Sequence, residues 1–224
     1  TQIYGILGFH IHPLKKYSKP LANNSIPIGY AYITLLVFSI ISIFLLYFQP
    51  QLHISISLYL LISFGYNFGF KKIPYVELIL LASGYVIRID SGSNLLDLES
   101  SFLMLISIFL LGIYFILLKR VGEINHGQNY HQARKVLKYY NIKSLKIIIF
   151  VVSILFLLSL LFYIININII FFISFIFTSI FLYKYYSDAK DSSEGESPIS
   201  YILSNWILIV LMFIILLSSL IIYI

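Results

Sequence analysis

KIIIFVVSILFLLSLLFY (residues 146–163) carries no charge after its first lysine. Its reading decides the fold. A helix rises about 1.5 Å per residue, so such a run nearly matches the ~30 Å hydrocarbon core of a bilayer. The run is flanked by lysines on one side only. Similar stretches recur along the chain, and seven spans are expected near 27–48, 54–70, 75–90, 101–118, 146–163, 169–184 and 202–224. The composition agrees. Of the 224 residues 60% are hydrophobic, and only 11% are charged. A soluble domain of this size does not need so much apolar surface, so the fold class expected is all-α integral membrane, one transmembrane domain over 1–224.

Charge placement orients the bundle. The chain has 15 lysines and arginines and a formal charge of +6. If the spans alternate, segments 1–26, 71–74, 119–145 and 185–201 lie on one side. These segments and the helix edges beside them hold every lysine and arginine except Arg88. The positive-inside rule then puts the N-terminus inside, in a bacterial cytoplasmic membrane or an organellar inner membrane. The basic balance therefore reflects membrane loops, and no nucleic-acid partner is expected. No cysteine is present, which excludes disulfides and thiolate metal sites. His10 with His12, and His126 with His131, lack the i, i+4 spacing of a helical zinc pair and read as interfacial polar residues. No cleavable signal peptide is read at the N-terminus.

Arg88 breaks the charge pattern. It lies about 24 Å beyond Lys72 along a helix. Ionisable groups at such depth face a bundle interior or a wet cavity, or snorkel to headgroups. Glu77, Leu81, Gly84 and Arg88 are spaced 4, 3 and 4 apart and share one helical face, which suggests cavity lining. Around them, FGYNFGFKKIPYVE (64–77) breaks a helix at Gly65, Gly69 and Pro74 and sets Lys71 and Lys72 at the break. Three basic loops converging on one mouth suit a phosphate or diphosphate, with Mg²⁺ as the usual companion.

These motifs, in order, resemble the UbiA superfamily of membrane prenyltransferases, and within it most closely the decaprenyl-phosphate phosphoribosyltransferase branch. His12, Pro13, Lys15 or Lys16, Lys19, Pro20 and Ala22 match the tail of its first motif. Tyr66, Lys71 or Lys72, Pro74, Glu77 and Arg88 match its second. Lys119, Arg120 and Glu123 follow, then Arg134 to Tyr140, and a Gly-Glu-Ser-Pro loop (195–198) precedes the last helix. The resemblance implies a bundle of about nine helices around an inward-facing cavity, of which the seven spans would be the last seven, the chain beginning at the end of the second. It also implies phosphate contacts from Lys15, Lys16, Lys19, Lys71, Lys72, Arg120 and Arg134. Glu77 would serve as metal ligand or base and Arg88 as a cavity cation, the two forming the catalytic pair.

One departure carries weight. The family's metal-binding aspartates fall on Thr1, Gln2, Gly5 and Phe9, and a later one near Asn205; none is acidic. Mg²⁺ ions beside a diphosphate need several carboxylates. The expectation is therefore a degenerate, non-catalytic relative, a structural or lipid-binding subunit of a membrane complex, with membrane lipids, polyprenyl phosphate and other subunits as partners and no cofactor. The alternative is an active Mg²⁺-dependent transferase moving a phosphoribosyl or prenyl group from a diphosphate donor to a polyprenyl phosphate or aromatic acceptor. A channel or transporter is a third reading, resting on Arg88, Glu77 and the broken helices.

Overall fold

A computed structural model describes residues 26–125, 135–167, 172–190 and 198–220. They are helical throughout, joined by short turns, with no strand among them. The helices are α1 (Ile28–Phe48), α2 (His53–Phe68), α3 (Val76–Leu95), α4 (Phe102–Asn125), α5 (Ile142–Ile167), α6 (Phe172–Ala189), α7 (Pro198–Ser204) and α8 (Trp206–Leu220). Single 3₁₀ turns at Pro50–Leu52, Phe70–Lys72 and Lys135–Tyr139 punctuate them. Helices consecutive in sequence pack in pairs, α2 on α3, α3 on α4 and α4 on α5, while α6 packs on α8, past the short α7.

Each apolar run becomes a helix because hydrocarbon offers backbone groups no partner but one another. Hydroxyl side chains within the runs obey the same constraint. Thr34, Ser39, Ser42 and Ser83 each donate to the carbonyl four residues back, at 2.7–2.8 Å. Large apolar side chains such as Phe44, Leu61, Phe102 and Ile147 stand exposed, and no residue of α1 is buried. In water that surface would be untenable, whereas in a bilayer it is the lipid-facing surface.

Three helices are long and apolar enough to cross a membrane alone: α1, α4, and α5 over Ile142–Ile165. The pair α7–α8, bent by 98° at Asn205, would make a fourth if it is one broken span. The other segments expected to span are helical but less suited on their own. α2 has only 16 residues, and α3 carries Glu77, Arg88 and Asp90. At about 1.5 Å per residue α2 reaches ~24 Å, short of the core thickness.

The core sits where α4, the Lys135–Tyr139 turn, α5, α6 and α8 meet. Leu117, Leu118, Val121, Leu137, Leu145 and Leu208 have no exposure there. α3 and α4 approach closely at Gly112, where an added Cβ would lie 3.1 Å from Cδ2 of Tyr85 and 3.5 Å from Ala82. Small residues allow this approach. Across the bundle, the Tyr201 hydroxyl donates to Asp188 on α6, which also pairs with Lys184 at 3.0 Å. Asn205, at the bend, accepts from the Ile207 N–H at 3.2 Å and so caps α8. This position, near which the resemblance sets a family aspartate, thus has a local structural task.

Candidate functional site

The basic corner is built by a chain reversal. After α2 the Phe70–Lys72 turn carries Lys71 and Lys72, and Pro74 prevents the helix from continuing. Tyr75 then adopts φ 64°, a backbone region that non-glycine residues seldom occupy, immediately before α3. A tertiary bond holds it there. The Tyr75 N–H donates to the Tyr140 hydroxyl at 2.9 Å, and the two rings meet edge to face with centroids 5.2 Å apart. Tyr140 follows the Lys135–Tyr139 turn, which itself packs on Phe70–Lys72. Lys71, Lys72 and Lys138 are thereby gathered at one end of the bundle, and none of them makes an ion pair among the described residues.

Beneath that corner lies a buried ionic cluster. Glu77, in the first turn of α3, has no exposure, and Arg120 near the end of α4 has 1%. Nε of Arg120 approaches Oε1 of Glu77 to 2.9 Å without directing its N–H at it; the aligned hydrogen bond runs from Nη2 to Oε2 at 3.3 Å. Nη1 of Arg120 donates to Glu123, also buried. The Tyr140 hydroxyl donates to Oε1 of Glu77 at 3.1 Å. One guanidinium therefore sits between two carboxylates, and Tyr140 links the cluster to the strained corner.

Burial pushes the Tyr140 hydroxyl up to about 12, the Glu77 carboxylate adding to the rise and the Tyr75 N–H opposing it. The folded value lies above the unfolded value of about 10, so the neutral hydroxyl is favoured by folding. That contribution is complete below about pH 10 and is lost as pH climbs toward about 12. Thermal unfolding in detergent should therefore fall in temperature between pH 10 and 12, and less steeply in Tyr140→Phe, which has no proton to lose. Parallel slopes for the two proteins would refute the assignment.

The sequence-expected residues that the structure describes separate into three places. Lys15, Lys16, Lys19 and Arg134, with all four histidines considered above, lie outside the described residues. Lys71 and Lys72 stand at the corner, while Glu77 and Arg120 are in the ionic cluster. Arg88 is elsewhere: about 16 Å along α3 from Glu77, it lines a groove of about 260 Å³ between α2 and α3. Glu77 does not line that groove. Their shared helical face is covered by Arg120 and Tyr140 at one end and by α2 at the other. Tyr140, Tyr75 and Tyr59 carry no expected role in the sequence. The sequence signal for Tyr140 is its place at the end of the Arg134 to Tyr140 stretch that carries the resemblance.

The donor set around Glu77 does not suit Mg²⁺. Both carboxylate oxygens are engaged by Arg120, one of them by Tyr140 as well, and the second acid nearby shares the same guanidinium. Among the described residues no three His, Asp or Glu side chains cluster as metal ligands. Hard divalent cations need several free oxygens.

The fold and this arrangement define a multi-pass α-helical membrane protein with a basic corner over a buried ionic cluster. Over 143 residues, 61% of the chain, it is 31% identical to decaprenyl-phosphate phosphoribosyltransferase of Corynebacterium glutamicum, a match covering 42% of that protein. Over 139 residues it is 26% identical to the Mycobacterium tuberculosis protein of the same name, covering 46% of it. The match thus spans less than half the length of these relatives. No family model matches the chain.

Proposed function

We propose that this chain is a UbiA-type membrane protein that binds a polyprenyl phosphate at its basic corner. It serves as a lipid-binding or structural subunit of a membrane complex, without itself carrying out transfer. The corner faces the inner side of the membrane. The similarity to proteins named for decaprenyl phosphate supports the ligand class. The observation that carries the reading is the contrast within the site. Arg120 and Glu77, the residues most suited to diphosphate and metal, neutralise each other in a buried pair. Lys71, Lys72 and Lys138 stand unpaired among the described residues and are available to a single phosphate.

The second reading, an active Mg²⁺-dependent transferase, is favoured by the relatives' printed activity. One experiment separates the two. Protein in lipid nanodiscs is mixed with polyprenyl phosphate, labelled phosphoribosyl pyrophosphate and Mg²⁺. Retention of polyprenyl phosphate without labelled product is expected. Labelled polyprenyl product would reject the non-catalytic reading, and no retention would reject the ligand. Lys71→Gln combined with Lys72→Gln should weaken retention by about tenfold, the usual effect of losing charge-assisted contacts to phosphate.

A further inference from the structure

The groove between α2 and α3 is separate from the basic corner. One wall is Tyr59, Ile62, Ser63 and their neighbours on α2; the other is Leu80, Leu81, Gly84, Tyr85 and Arg88 on α3. Both sets follow helical spacing, so the groove runs along the two antiparallel axes rather than across them. Ile62, Leu80 and Leu81 give it an apolar stretch, with Tyr66 and Asn67 toward one end and the Arg88 cation at the other. Arg88 donates to the Tyr59 hydroxyl, and its guanidinium carbon lies 4.9 Å from the Tyr59 ring centroid and 6.0 Å from that of Tyr85. The two aromatic side chains hold the guanidinium over the groove.

Arg88 has no carboxylate partner among the described residues. Asp90, two residues on, is occupied otherwise: it accepts from Ser100 and from Asn94. A guanidinium within a membrane span needs a compensating charge or water. Beyond Arg88 the helix turns polar with Ser91, Ser93 and Asn94, which places this end of the groove near a headgroup layer. That layer is on the opposite face of the bundle from Lys71 and Lys72, which precede α3.

We propose that the α2–α3 groove binds one anionic phospholipid of the bilayer. Its phosphate pairs with Arg88, and the start of an acyl chain lies along Ile62, Leu80 and Leu81. The volume of about 260 Å³ admits a headgroup and the first part of a chain. Gly84 keeps the floor open: a Cβ there would meet only Cε2 of Tyr59, at an ordinary 3.6 Å, while a longer side chain would enter the groove.

The test is native mass spectrometry of the full chain, released from nanodiscs of equimolar phosphatidylglycerol and phosphatidylcholine with no polyprenyl phosphate present. The wild type should retain phosphatidylglycerol about tenfold over phosphatidylcholine. Arg88→Gln should retain the two equally, and Gly84→Leu should lose the retained lipid of either kind. Equal retention by the wild type overturns the proposal whether or not the variants fold. An unchanged preference in Arg88→Gln also overturns it, by assigning the preference to the basic corner. Displacement of the lipid by millimolar inorganic phosphate would show an anion site indifferent to the chain, and would overturn the lipid assignment. The polyprenyl phosphate reading stands or falls separately, since it is read with another ligand and other residues.

Discussion

Arg120→Met is expected to remove most of the folded protein recovered in detergent. The arginine is 1% exposed and lies between Glu77, with no exposure, and Glu123, with 3%. Without it, two buried carboxylates lose the guanidinium they share. Breaking a buried ion pair on one side costs about 3–5 kcal/mol, because the remaining charge has been taken out of water and cannot return. That is a large fraction of the ~5–15 kcal/mol that holds a typical domain together. The readout is the monodisperse fraction on fluorescence-detected size exclusion, with the thermal midpoint of whatever remains.

A rescue distinguishes charge from packing. Arg120→Met combined with Glu77→Gln and Glu123→Gln removes all three charges with little change in volume. If the cost is electrostatic, the triple variant should recover most of the lost midpoint, as replaced ionic clusters often do. If the triple variant is no better than the single, the argument from charge fails and Arg120 acts as a packing element. Arg120→Lys should fall between, since an ammonium cannot direct parallel N–H groups at two carboxylates.

The bundle was legible in the sequence to different depths at different places. The apolar runs of α1, α4 and α5 gave their helices directly, because hydropathy over twenty residues leaves the backbone no other solution. The break at Gly69 to Pro74 was legible from its glycines and proline. The charge alternation placed Lys71 and Lys72 with the 119–145 segment, and the contact between Phe70–Lys72 and Lys135–Tyr139 joins parts of those two segments. Three features were hidden. Glu77 and Arg120 are 43 residues apart, and nothing local distinguishes an acid that meets a metal from one that meets an arginine. Spacing put Glu77 and Arg88 on one face correctly, yet said nothing of which neighbour covers each end of that face. Tyr140 was hidden because its role is to hold a backbone, that of Tyr75 at φ 64°, and such a role depends on tertiary approach alone.

Gly112→Leu tests whether the ionic cluster depends on helix approach. Gly112 on α4 faces Ala82 and Tyr85 on α3, and Glu77 and Arg120 lie on the same two helices. A Cβ at position 112 already reaches 3.1 Å from the Tyr85 ring and 3.5 Å from Ala82, whose Cα is backbone and cannot swing aside. The further atoms of leucine must push the helices apart. Overpacking of this kind costs about 1–3 kcal/mol. Here it should exceed that range, because separation of α3 from α4 also stretches the Glu77–Arg120 contacts. Gly112→Ala makes the control: only the half-exposed Tyr85 ring need shift, and alanine gains about 1 kcal/mol in helix preference, so its midpoint should stay near the wild type. Coupling between the two sites follows from the same geometry. With the charges removed by Arg120→Met, Glu77→Gln and Glu123→Gln, Gly112→Leu should cost less than it does in the wild type, by roughly 0.5–3 kcal/mol. Additive losses would show that the cluster does not depend on the close approach at Gly112.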